Sequence, residues 1–194
     1  MNKMRPHLAY AGLLAALSAA LATAEEPGEQ FTRPLGFPLV ATTVVEVQDH
    51  LGPAPITRTG HYENVVCYIW PKHAALVTFM SQGEGLSGRF TMRTLAEPAP
   101  PECRHLDSSV VKGQKLEVGG LRLGMSRGAF EALLGKLAPL PGGMLGVTFD
   151  RTEPIDRKAH PLGIGDTLYI SIVVGGKFQH DHLVELDIWK TMST

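Results

Sequence analysis

Two short stretches of this 194-residue chain carry residue types that do chemistry, at spacings that chemistry uses. Gly124-Met125-Ser126-Arg127-Gly128 fits Gly-x-Ser-x-Gly, the elbow that lifts a serine nucleophile onto a strained strand-to-helix turn. Asp150 or Asp166, followed by His180 or His182, would complete the Ser…Asp…His order of an α/β-hydrolase. The elbow needs an apolar parallel strand before it. Leu121-Arg122-Leu123 is short and alternating, and no His-Gly-Gly oxyanion motif precedes it. The plainer reading of Ser126 is a helix N-cap, where a side-chain oxygen accepts an N–H that the first turn leaves unpaired.

His180-Asp181-His182 is the second stretch. Alternate residues of an extended segment share a face, so two imidazoles can hold one ion while Asp181 points away. A zinc or copper site needs a third ligand, and His61, His105 or His160 would have to be brought to it by the fold. Neither Cys-x-x-Cys nor His-Glu-x-x-His accompanies the pair, so two solvated loop histidines are the plainer reading, and no cofactor or metal is expected. Asp150, Glu153 and Asp156 interleave with Arg151, Arg157 and Lys158, which reads as a mixed-charge solvated loop. Glu185 and Asp187 fall on the wet face of the last strand. Gly175-Gly176-Lys177 lacks the first glycine and the closing Ser/Thr of a phosphate-binding loop. Tyr68, Trp70, Phe79 and Trp189 are assigned to the core rather than to an exposed binding face.

The elements that would position these residues alternate in period. Thr43-Val44-Val45-Glu46 matches a capping box, with Val44, Val47 and Leu51 at helical spacing and Gly52-Pro53 as a stop. The β-branched content argues for a strand, but the cap and the stop favour a short helix. Strands are expected over 64–70, 74–80 and 89–94. Glu97-Pro98-Ala99-Pro100-Pro101 reads as a stiff linker. Beyond it, 116–123 reads as short extended pieces broken by Gly119-Gly120. Ser126 caps a helix with Phe130, Leu133 and Leu134 on one face, ended by Gly135. Strands follow at 145–149 and 168–174, a loop at Gly175-Gly176, and a last strand through Val184, Leu186 and Ile188. Each half thus reads as a helix followed by an antiparallel meander, a weak internal repeat. The expected fold class is α+β, in two similar units: 25–96 and 114–194, joined by a Pro-rich linker at 97–113.

Residues 1–24 read as a secretory signal peptide, with Lys3 and Arg5 at the start, an apolar run from Leu8 to Leu21, and Ala22-Thr23-Ala24 as the cleavage site. The apolar run has 14 residues, against about 20 for a membrane-spanning helix. Cleavage removes two of the 18 basic residues and none of the 19 acidic ones, leaving a formal charge of −3. With basic residues scattered, no nucleic-acid partner is expected, and no transmembrane segment remains after cleavage. An exported chain meets oxidising conditions, so Cys67 and Cys103 are expected to form a disulfide. Closing that loop is worth about 3.8 kcal/mol in the chain-entropy treatment.

Residues 121–135, Leu-Arg-Leu-Gly-Met-Ser-Arg-Gly-Ala-Phe-Glu-Ala-Leu-Leu-Gly, resemble the Gly-Met-Ser/Thr…Leu-Leu-Gly helix of BamE-type outer-membrane assembly modules and of β-lactamase-inhibitor-protein-like repeats. The first half, with Leu51-Gly52-Pro53 and Cys67-Tyr68, is similar to exported bacterial proteins of no assigned function. The resemblance implies tandem helix-plus-sheet modules that bind another envelope or secreted protein without chemistry. The BamE-type modules are lipoproteins, and this chain has no cysteine near its cleavage site to take a lipid. A periplasmic or secreted, non-enzymatic binding module is therefore expected. A serine hydrolase using Ser126, or a metal-binding protein using His180 and His182, stands as the alternative.

Overall fold

The computed structural model describes residues 26–59, 62–81, 87–95, 98–156, 158 and 165–194. The signal-peptide region, His61, Arg157 and His160 lie outside the described residues. The strands are β1 (Thr57–Thr59), β2 (Tyr62–Trp70), β3 (Ala75–Ser81), β4 (Ser87–Thr94), β5 (Arg104–His105), β6 (Ala138–Leu140), β7 (Met144–Pro154), β8 (Thr167–Gln179) and β9 (His182–Ser193). They form one sheet in the order β1-β2-β3-β4-β9-β8-β7-β6, with β5 added in parallel to β2. Every other pairing is antiparallel.

Two eight-residue helices lie outside the sheet: α1 (Val44–Leu51) and α2 (Arg127–Leu134). The capping box forms as its spacing predicts. The Glu46 N–H donates to Thr43 Oγ1 (3.2 Å), and the Thr43 N–H donates to Glu46 Oε2 (2.7 Å). That satisfied end outweighs the β-branched residues, and α1 buries Val44, Val47 and Leu51. Ser126 caps α2 by accepting from the Ala129 N–H (3.2 Å). Phe130 and Leu134 point into the core, whereas Leu133 is 47% exposed.

The two-unit α+β expectation is overturned: the architecture is a single nine-stranded, almost wholly antiparallel sheet with two short helices. The reason lies in side-chain and strand partners far apart in sequence. β4 and β9 pair directly, Arg89 opposite Trp189 through Arg93 opposite Glu185, so no seam divides the sheet. One hydrophobic cluster collects Val66, Tyr68 and Phe79 with Phe130, Ile172 and Ile188. The lead-in at 26–40 crosses to the second half, where Phe31 stacks on Phe149 with centroids 6.1 Å apart. Glu29 takes hydrogen bonds from Arg151 and from Lys190 Nζ (2.8 Å). The segment after Pro101 supplies β5, and its Leu106 and Val111 enter the same core.

The loop expected at Gly175-Gly176 is also absent, because β8 runs through both glycines to Gln179. These glycines serve close approach. A Cβ on Gly176 would stand 2.5 Å from Leu183 Cδ1 and 3.2 Å from the Phe130 ring. The 150–153 stretch likewise belongs to β7 rather than to a solvated loop.

Candidate functional site

The sheet has two unlike faces. Val66, Tyr68 and Trp70 of β2, Phe90 and Met92 of β4, and Ile170, Ile172 and Val174 of β8 share the side that the helices and the lead-in cover. Tyr68, Trp70 and Phe79 are fully buried there, as expected of strand aromatics. Burial pushes the Tyr68 hydroxyl up to about 12, and it donates to the Gly52 carbonyl at 2.8 Å.

Among the described residues the opposite side carries neither α1 nor α2, and only a small cluster of Cys67, Ile69, Leu76 and Cys103, with Leu95 and Ala99 against it, is buried there. Three rows cross β4, β9 and β8 on this open face: Arg89–Trp189–Val173, Thr91–Asp187–Gly175 and Arg93–Glu185–Lys177. Asp187 lies on the polar face that its alternation suggested, yet it is only 1% exposed. A bidentate Arg89 accounts for this, with Nε donating to Asp187 Oδ1 at 2.8 Å and Nη2 to Oδ2. The Arg89 guanidinium also lies 5.6 Å from the Trp189 ring centroid, and Trp189 is half-buried on this face rather than in the core. Lys177 Nζ reaches Glu185 at 3.2 Å. The turn at Pro141–Gly143 rims one side of this cleft, whose volume is about 420 Å³. A second depression of about 230 Å³ holds Thr78, Thr91, Arg93 and Glu185. Its wall is Pro100 to Cys103, pinned by the Cys67–Cys103 disulfide (S–S 2.08 Å). Tyr169, 56% exposed, stands farther along the same face, across from Thr152 and Ser193.

The residues singled out for chemistry come together elsewhere. β8 and β9 join through His180 and Asp181, both at positive φ (49° and 66°), a two-residue turn in the left-handed region. This tip docks on the start of α2. Ser126 and His182 are bridge partners, and the Arg127 N–H donates to the Asp181 carbonyl at 2.9 Å. His182 Nδ1 stands 3.0 Å from the Gly124 carbonyl. Ser126 Oγ is committed to the Ala129 N–H, and its backbone (φ −71°, ψ 155°) is ordinary extended chain rather than a strained elbow. Asp150 lies on β7 opposite Ser171, away from this junction by topology. Among the described residues, no three His, Cys, Asp or Glu side chains gather where they could hold a metal ion. His105 belongs to β5, at the far side of the sheet.

Sequence reasoning missed the open-face set Arg89, Arg93 and Lys177 and the burial of Asp187, and it placed Trp189 in the core. The available signal was the alternation of Arg89, Thr91 and Arg93 along β4, which marks one polar face but not its partner. The disulfide fits an oxidising, non-cytoplasmic compartment. No helix among the described residues is long and apolar enough to cross a membrane. No family model, curated protein or solved structure matches this chain.

Proposed function

We propose that this chain is an exported, non-enzymatic binding module that takes another protein on the open face of its sheet. The observation that carries this reading is a pair of open depressions that share Glu185, one lined by Arg89 and Trp189 beside the paired Asp187 and the other by Arg93. Arginine and tryptophan are the side chains that most often dominate protein–protein binding energy. Fixed ion pairs beside them hold the guanidinium and the indole in place before a partner arrives. The resemblance of residues 121–135 to envelope binding modules supports the same class of activity, and the disulfide supports export.

The test is capture from an envelope extract by the immobilised protein, followed by affinity measurement on the recovered partner. Trp189→Ala and Arg93→Glu should each weaken binding by about tenfold or more, which corresponds to the 1.4 kcal/mol or more of an interface anchor. Unchanged affinity in both, or esterase turnover abolished by Ser126→Ala, overturns the proposal.

A further inference from the structure

The outer side of β7 is paired over only part of its length. β6 pairs with it only from Met144 to Gly146, and among the described residues no strand pairs with 147–154 on that side. Along its inner side β7 runs against β8 from Leu145 to Pro154 without a register shift. Just past that ladder the Ile155 N–H donates to the Asp166 carbonyl at 3.0 Å. Backbone groups alternate in direction along a strand. Phe149, Arg151 and Glu153 therefore bond to β8, while Thr148, Asp150 and Thr152 turn their N–H and C=O groups outward. Pro154 falls in the outward set, where a missing N–H removes no bond to β8. Between 147 and 153 there is no lysine and no bulge; the edge's charges are Asp150, Arg151 and Glu153, and its proline falls at 154.

This edge is complementary to itself. We propose that two copies of the chain pair antiparallel through β7, about a two-fold axis at Thr152, to join their sheets. In that register Arg151 of each copy, which also bonds Glu29 and its own Glu153, faces Glu153 of the other, and Phe149 faces Ile155, twice over by symmetry. Thr152 faces its own counterpart, and their outward N–H and C=O groups bond reciprocally. Moving the axis to Asp150 would set two carboxylates face to face, and moving it to Arg151 would do the same with two guanidiniums. The axis is perpendicular to the sheet, so both open faces look the same way and the dimer presents two binding clefts side by side. A single strand pair belongs to the small end of the interface range, so the dimer dissociates on dilution.

Sedimentation over a dilution series of the intact protein tests this. The expected result is a concentration-dependent dimer, weakened roughly tenfold or more by Thr152→Lys, which opposes two ammonium groups across the axis. Thr152→Cys should cross-link to its own copy under mild oxidation, whereas Thr148→Cys should not, because its facing residue is 156. Circular dichroism checks that each variant keeps its fold. The proposal is overturned by a monomer at every concentration, by a dimer that survives Thr152→Lys, or by equal cross-linking at both positions. A monomer whose captured partner is lost in Thr152→Lys would assign the edge to a different chain, which also overturns self-pairing.

Discussion

The two ends of the sheet are finished in opposite ways. At one end, the outer side of β2 is patched by two short pieces, β1 and β5, that cover different stretches of it. β1 is three residues long with an irregular register, and β5 is held beside β2 by the Cys67–Cys103 bond. At the other end β7 is long and straight in register, and no strand among the described residues pairs with its outer side beyond Gly146. There the anchoring is on the covered face instead, where Arg151 and Lys190 grip Glu29. One edge is closed covalently by nearby chain, and the other is stiffened by a distant ion-pair cluster but not capped. An unpaired row of backbone donors and acceptors is a place for another strand, and the proposed self-pairing uses it.

Removing the covalent patch is expected to have the largest effect. The Cys67→Ser/Cys103→Ser double variant should lose about 4 kcal/mol in denaturant unfolding, with hydrogen exchange rising in β5 and its β2 neighbours and not in β7. Equal loosening of both ends would show that the patch is not local.

The second effect belongs to the β7 end. Burial pushes the Glu29 carboxyl up, but hydrogen bonds from Lys190, Arg151 and Thr32 outweigh it and hold the group down at about 2. A carboxylate depressed in the folded state adds stability that is fully present above its unfolded value of 4.5 and is lost as pH falls towards 2. Glu29→Gln should cost about 1–3 kcal/mol near neutral pH, by leaving two part-buried cations short of a partner. It should also flatten the acid limb of the stability curve between those two values. A variant with unchanged acid sensitivity would detach the lead-in from the stability of this end.

The smallest effect separates the helices over the two halves. Ser126→Ala should lower the melting stability by about 1 kcal/mol. If Ser126 instead held catalytic strain, removing it would stabilise the protein.

Much of the local structure was legible in the residues. Both N-caps, both glycine stops and the strand cores at Val65–Trp70 and Leu168–Val174 follow from spacings of three, four or two residues, which neighbouring atoms enforce directly. The cysteine pairing followed from a count of two and an oxidising compartment. The misreadings share one cause. Asp187 looked wet and Gly175-Gly176 looked like a loop because their determinants, Arg89 in one case and Leu140, Phe130 and Leu183 in the other, come from other strands, turns and helices.

By itself, then, the order of amino acids determined where helices start and stop, which faces are apolar and which thiols meet. Tertiary structure alone decided that β4 lies against β9, that Glu29 reaches Lys190 across 161 positions, and that both helices bury their apolar residues on one face of the sheet. Hydrophobic periodicity is set within a few residues and is blind to identity at a distance. The choice of strand neighbour depends on which whole surfaces can be buried together, and that sum exists only once the chain has closed on itself.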